Sequence, residues 1–328
     1  METAFVLLRA VHIGALVALL GGLVFEVWIA GPCRQPLVDR ELEPQRRLIR
    51  LSAGWLALAI VSGVFWLAFE AIAMSGLPPE QALGRQTLGV VLMQTHFGRI
   101  WMARAVLCLS LAALLFAASR PDATHRTVLF LACTAVAAAL LSALAGVGHA
   151  NAEHGLQRLL HLAADAIHLL AAGSWLGALL PLAGMFARQR RAAGPGRLDE
   201  LAQVTQRFSA LGLICVAALI VSGAVNAWFT VATFSGLTAK HYGHLLLVKL
   251  ALFGAMLGLA TVNRTRLTPL LANLAVEPRL RATALRRLQR NATTEAALGL
   301  LILGIVGALG MTMPAAHSTM MTPSMHLH

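Results

Sequence analysis

Long apolar stretches alternate along this chain with short polar connections. Eight stretches contain few charged side chains, at roughly 4–30, 51–75, 99–119, 127–148, 158–186, 208–233, 242–262 and 294–313. A helix of about 20 apolar residues crosses a hydrocarbon core about 30 Å thick, and a helix satisfies its own backbone hydrogen bonds there. The pattern predicts an all-α, polytopic membrane protein with eight transmembrane helices.

The composition supports this class and excludes a water-soluble protein. The 328 residues are 58% hydrophobic and 12% charged, whereas soluble domains are about 45–50% apolar and about 25% charged. A net charge of +12 is typical of nucleic-acid binding, but the basic residues lie in blocks between the apolar stretches. We therefore expect the lipid bilayer, and no nucleic acid, as a partner. The four cysteines show no CxxC spacing, so no disulfide framework is indicated.

The basic blocks predict the orientation of the chain. Of the 26 lysines and arginines, 19 fall in the first, third, fifth and seventh connections, and none follows Met313. Short cytoplasmic loops carry the basic excess, so both termini are expected in the periplasm, with the protein in a bacterial inner membrane. Within the seventh connection, Leu280, Ala284 and Leu288 share a helical stripe. This segment, 279–290, is expected to form an interfacial helix or a solvated basic loop.

Short motifs recur in the same order in the two halves of the chain. They predict a tandem repeat of two four-helix units, residues 1–150 and 151–313, followed by a tail, 314–328. Units with an even number of helices insert in the same orientation, so we expect His12 and His168 to face each other at equal depth. The matching elements are Arg9–His12 with Gly21 against Asp165–His168 with Gly177, Ile60–Gly63 against Ile220–Gly223, and His96–Gly98 with Arg104 against His241–Gly243 with Lys249.

Histidine and methionine are concentrated toward the predicted periplasmic side. The tail from residue 311 contains five methionines and three histidines and no charged residue. Imidazole and thioether ligands suit copper, and thioether selects Cu(I). The sequence therefore predicts Cu(I) binding, with the candidate ligands His12, His96, His149, His154, His161, Asp165, His168, His241, Met311 and Met313.

The densest group of candidates lies at the start of the fifth span. Steps of seven residues join His154, His161, His168 and Trp175, which predicts that they share one helical face. Asp165 lies on that face and is expected to accept the ring N–H of His168 or to bind the metal itself. Hydrogen-bonded structural histidines are the alternative. A further alternative is a redox protein in which His12 with His168, or His96 with His241, binds haem b axially.

Several motifs carry a family resemblance over nearly the whole chain: His12 with Gly21-Gly22, Gly148–Ala150, Asp165–Leu169 with Trp175–Gly177, Arg207–Ser209, Ser222–Trp228 and Asn263-Arg264. On these motifs the chain resembles the copper resistance protein D (CopD) family. The resemblance implies copper uptake across the inner membrane, supplied by a periplasmic copper protein of the CopC type.

We therefore expect a copper transport protein and not an enzyme. It would capture Cu(I) on the periplasmic side and pass it inward at the level of His12, Asp165 and His168. The inner half shows no spaced ladder of soft ligands. A copper-binding protein without transport is therefore a third possibility.

Overall fold

Helices account for the architecture of the parts of the chain that the computed structural model describes, residues 2–33, 42–120, 125–147, 155–192, 198–231, 241–273 and 275–311. Eight of these helices are long and apolar enough to cross a membrane, which confirms the predicted class. Two short helices, α3 and α4, connect the second and third of them. The α-helices are α1 (Glu2–Val24), α2 (Leu42–Ser75), α3 (Pro79–Ala82), α4 (Arg85–Gln94), α5 (His96–Ser119), α6 (Arg126–Ser142), α7 (Gly155–Ala192), α8 (Leu198–Val231), α9 (His241–Val262), α10 (Thr268–Ala272) and α11 (Pro278–Leu309).

Several helices extend beyond the apolar stretches that predicted them. α7 has 38 residues, or about 57 Å at 1.5 Å per residue, which exceeds the hydrocarbon core. Large parts of the connections that were expected to be loops are therefore helical. Their arginine, glutamine, leucine and glutamate residues are good helix formers.

The segment 279–290 is helical, which confirms the expected helix and shows that the solvated loop was wrong. It is the first part of α11, which starts at Pro278 and runs without a break into the eighth span. Of the apolar stripe, Ala284 and Leu288 are buried in the core and Leu280 is exposed. Arg281 donates hydrogen bonds to the Leu271 carbonyl oxygen at 2.9 Å and to Asp199 at 2.5 Å. The position of this segment at the membrane interface stays a prediction.

The helices α1 and α7 form the centre of the molecule. α1 contacts α2, α6, α7 and α11. At the crossing of α1 and α7, a Cβ atom on either Gly21 or Gly177 would collide with the backbone of the other helix. Buried apolar side chains of the described residues form two large clusters, one from residues 5–144 and one from residues 171–296 together with Phe25, Ile29 and Ala30, and a small third one of Tyr242 and Leu309. The tandem repeat, the division near residue 150 and the periplasmic position of the termini stay predictions.

Candidate functional site

His12 lies inside the first half of the chain and is 2% exposed. Its Nε2 atom lies 2.5 Å from Nη2 of Arg104 on α5, and its Nδ1 atom lies 2.9 Å from Oγ of Ser62 on α2. A guanidinium group only donates hydrogen bonds, so Nε2 accepts and Nδ1 carries the hydrogen. Ser62 in turn donates to the Leu58 carbonyl oxygen at 2.6 Å. Both nitrogens of the His12 ring are thus engaged.

Aromatic side chains enclose the His12 ring. Trp66 meets it edge-on with the ring centroids 5.3 Å apart, and Trp101 stacks on it at 6.1 Å. The guanidinium of Arg104 lies 4.5 Å from the Trp101 centroid, and that of Arg9 lies 4.5 Å from the Trp66 centroid. Rings and cations, not metal ligands, surround this imidazole.

His168 is held in the same way in the second half. Its Nδ1 atom lies 3.1 Å from Oγ of Ser222 on α8, and Ser222 donates to the Ala218 carbonyl oxygen at 2.6 Å. Nδ1 therefore donates, and the lone pair of Nε2 is left to accept a hydrogen bond or bind a metal. In the part of the chain that the structure describes, no hydrogen bond reaches this Nε2 atom. A Cβ atom on Gly223 would lie 3.5 Å from Cε1 of His168, close to the 3.2 Å between a Cβ on Gly63 and Cε1 of His12.

Oxygen atoms lie beside His168. Asp165, one turn earlier on α7, accepts a hydrogen bond from Nδ2 of Asn226 at 2.6 Å. Lys249 on α9 interacts electrostatically with both His168 and Asp165. Oδ1 of Asn226 is buried and has no hydrogen-bond partner among the described residues. A buried acceptor without a donor is costly, which indicates a ligand or water at this point.

The packing of α7 on α8 explains the regular spacing of His161, Asp165 and His168. His161 is buried and stacks on Phe229 at 4.8 Å, Asp165 meets Asn226, and His168 meets Ser222. As the spacing predicts, one face of α7 carries these side chains. The ring N–H of His168, however, is bonded to Ser222 and not to Asp165, because Ser222 stands directly opposite it on α8.

His12 and His168 do not form a shared site, since their ring nitrogens contact different helices. The physical reason is the helical period. Each histidine precedes its central glycine by nine residues, which is about two and a half turns and therefore the opposite helix face. Because Gly21 and Gly177 form the contact between α1 and α7, the two imidazoles point away from that contact.

The other candidate ligands are dispersed or lie outside the described residues. His96 is exposed at the start of α5, and Met311 is exposed after α11. His149, His154, Met313 and the side chain of His241 lie outside the described part. Among the residues that the structure describes, no three histidine, cysteine, aspartate or glutamate side chains form a group that could hold a metal ion.

Sequence reasoning missed the residues that orient the two histidines. Ser62 and Ser222 occupy the same place in the recurring Ile-Val-Ser-Gly motif, which was interpreted through its glycines alone. The recurrence of serine next to glycine in both copies was the signal. Asn226 belongs to the family motif Ser222–Trp228, but nothing in its spacing indicates Asp165 as its partner.

Comparisons with known proteins identify the family. Residues 202–309 match the model of copper resistance protein D, and residues 1–159 match that of the copper resistance protein D-like N-terminal domain. The chain is 33% identical to copper resistance protein D of Pseudomonas syringae pv. tomato over 267 residues, 81% of this chain and 82% of that protein.

Two other relatives are more distant. Inner membrane protein YebZ of Escherichia coli (strain K12) is 31% identical over 81% of this chain and 84% of its own length. Copper transport protein CutJ of Bacillus subtilis (strain 168) is 28% identical over 78% of this chain and 45% of its own length. No solved structure matches significantly. The resemblance found in the motifs is confirmed, and the chain belongs to the copper resistance protein D family.

Proposed function

We propose that this protein carries Cu(I) across the bacterial inner membrane, from the periplasm toward the cytoplasm, by a site in its second half. Family membership and the eight membrane-spanning helices support a membrane protein of copper homeostasis. The names of the relatives, which include an inner membrane protein and a copper transport protein, support the location and the transport role. In this proposal the protein is a transporter and not an enzyme, and a separate periplasmic protein of the CopC type supplies the copper.

The observation that carries the proposal is the pair of unused acceptor atoms on α7 and α8. Nε2 of His168 is left without a hydrogen bond in the described structure, and Oδ1 of Asn226 is buried without a partner. Asp165 connects them, since it lies one turn before His168 and is bonded to Asn226. The imidazole nitrogen of His168 is the ligand that suits copper here, and the carboxylate of Asp165 beside it supplies negative charge.

The corresponding positions of the first half explain why the site is assigned to the second. If the halves are repeats, Arg9 corresponds to Asp165 and Trp66 to Asn226. The first half therefore has a cation and an indole where the second has a carboxylate and an amide. In addition, Arg104 already occupies Nε2 of His12. A copper ion finds no free lone pair there.

Lys249 sets the charge of the proposed site. While no metal is bound, Lys249 and Asp165 balance each other electrostatically. A Cu(I) ion on His168 would compete with Lys249 for Asp165, because both are monovalent cations. Replacement of Lys249 by methionine is therefore expected to tighten Cu(I) binding.

The test uses a matched pair of variants, His168→Gln and His12→Gln. Glutamine keeps an acceptor for the neighbouring cation but removes the imidazole ligand. Cu(I) stoichiometry is measured without oxygen, by competition with the chelator bicinchoninate, on purified protein in lipid nanodiscs. His168→Gln is expected to lose one Cu(I) per chain and His12→Gln none. Equal stoichiometry in the two variants would contradict the assignment.

Transport is measured separately, as copper uptake into sealed vesicles that contain the protein. The wild type and His12→Gln should accumulate copper, and His168→Gln should not. Binding without accumulation by the wild type would favour the third possibility, a copper-binding protein without transport.

Haem ligation by His12 with His168 receives no support from the geometry, whereas the pair His96 with His241 stays untested because the side chain of His241 lies outside the described part. Axial ligation requires a free ring nitrogen and room for the porphyrin, but Nε2 of His12 meets Arg104 between Trp66 and Trp101. The expected partner, His168, lies on the far side of the contact between α1 and α7. The absorption spectrum of the purified protein tests this point, because a Soret band would show that haem is bound.

A further inference from the structure

A cavity of about 130 Å³ lies among α7, α8, α9, α10 and α11, away from the copper site. Trp175 on α7 lines it. Trp175 follows His168 by seven residues, or about 10 Å along the helix, so the cavity lies in the inner half of the second unit. This is the region in which the sequence shows no ladder of soft metal ligands.

A buried carboxyl group opens onto this cavity. Glu295 on α11 is 1% exposed and lines the cavity wall. Nδ2 of Asn263 donates to Oε1 of Glu295 at 2.7 Å, and Nδ2 of Asn291 donates to Oδ1 of Asn263 at 2.7 Å. Asn263 begins a π-helical turn, Asn263–Leu267, that follows α9. Such turns occur frequently at functional sites.

A second polar atom in the same wall is unsatisfied. Oγ1 of Thr268 on α10 is buried, belongs to a residue that lines the cavity, and has no hydrogen-bond partner in the part of the chain that the structure describes. A hydroxyl group without a partner and a carboxyl group thus share one cavity. This arrangement is suited to a small, mobile guest such as water or a proton.

The charges around Glu295 determine what the cavity can bind. α7, α8 and α10 contribute only uncharged side chains to the lining, and the other ionisable lining group is Arg264. Nη1 of Arg264 donates to the carbonyl oxygen and to Oγ of Ser209, at 3.0 and 2.9 Å. Within the described chain, no cation forms an ion pair with Glu295. An unpaired carboxylate is expensive to bury, and a bound proton removes that cost.

We infer that Glu295 is a proton-binding site of the inner half of the membrane and that it exchanges its proton through this cavity. The binding itself does not depend on copper. The role that follows, the coupling of proton movement to copper movement, rests on the proposed function. Asn263 orients the carboxyl group as a positioning residue.

The experiment labels the full chain, in nanodiscs and without copper, with dicyclohexylcarbodiimide. This reagent adds to a protonated carboxyl group in an apolar environment and leaves a stable N-acylurea, which peptide mass spectrometry locates. Labelling of Glu295 is expected at low pH and is lost as the pH rises. Glu295→Gln must lose it, and Glu70, half-buried on α2 and bonded to Trp66, serves as the internal comparison.

Two further measurements keep the inference falsifiable. Asn263→Ala removes the donor that favours the carboxylate form, so labelling should persist to higher pH than in the wild type. Absence of labelling at every pH would overturn the inference. Labelling that Na⁺ suppresses at constant pH would also overturn it and would assign the oxygen atoms to a sodium ion. Since copper is absent, failure here leaves the copper proposal unaffected.

Discussion

The close contact between Gly21 and Gly177 determines how near α1 and α7 approach. A Cβ atom on Gly21 would collide with Cα and the carbonyl carbon of Gly177 and with the backbone nitrogen of Ala178. A Cβ atom cannot rotate away, because the backbone fixes its position. We therefore predict that Gly21→Ala forces the two central helices apart by more than about 1 Å, toward the normal carbon–carbon distance of about 3.5–4.0 Å.

The cost follows from the packing that is lost. Insertion of an extra carbon into a packed core costs about 1–3 kcal/mol, and a contact with the backbone belongs at the upper end. Alanine recovers about 1 kcal/mol, because it is a better helix former than glycine. The net loss is about 2 kcal/mol. At about 2–4 °C per kcal/mol for a domain of 150–250 residues, Tm should fall by about 4–8 °C.

Gly254 provides the matched control for this measurement. It lies in α9, another membrane-spanning helix, and a Cβ atom there would meet nothing within 4 Å. Gly254→Ala should therefore leave Tm unchanged or raise it slightly. Thermal unfolding of both variants in the same detergent, followed by tryptophan fluorescence, gives the comparison. Equal Tm values for Gly21→Ala and Gly254→Ala would refute the claim that the glycine contact sets the helix distance.

The electrostatic interaction of Asp165 with Lys249 and the ion pair of Arg281 with Asp199 yield further predictions with the same thermal assay. Asp165→Ala should lower the free energy of unfolding by about 3–5 kcal/mol, because Lys249 is left in the membrane without a counter-charge. A second change, Lys249→Met, should restore most of this loss. A double variant no more stable than Asp165→Ala would contradict the pairing. Arg281→Met should lower the free energy of unfolding by about 1–2 kcal/mol, because it loses the ion pair with Asp199 and also the hydrogen bond to the Leu271 carbonyl. Asp199→Asn should cost less than about 1 kcal/mol, since that side chain is 65% exposed; equal losses in the two variants would show that the carbonyl bond contributes nothing.

The class of the fold could be predicted from the sequence because apolar length alone determines it. Eight stretches long enough to cross a bilayer permit few alternatives, and the structure has eight such helices. The ends of the helices could not be predicted in the same way. Segment 279–290 has the arginines of a loop and the apolar stripe of an amphipathic helix. The burial of Ala284 and Leu288 in the core shows that protein covers this part of the stripe, whereas Leu280 is exposed.

The comparable depth of His12 and His168 in the membrane stays a prediction, but the direction expected for their side chains was wrong. Equal positions in two similar units predict comparable depth, and this suggested a shared site. The spacing of nine residues between each histidine and its glycine, however, indicates that the histidine lies on the helix face opposite the glycine. If the glycines form the contact between the helices, residues two and a half turns away face outward from it.

If the halves are repeats, the same spacing would let the proposed copper site differ from its counterpart in the first half. Because the histidines lie on opposite sides of the contact between α1 and α7, the ring nitrogens of each contact helices of its own half in the described part of the chain. The residues beside one histidine therefore do not restrict which residues can lie beside the other. The first half could therefore fill the space beside Nε2 of His12 with Arg104 and aromatic rings, while the second kept a carboxylate and an amide beside His168. A shared site between the halves would have required both sets to change together.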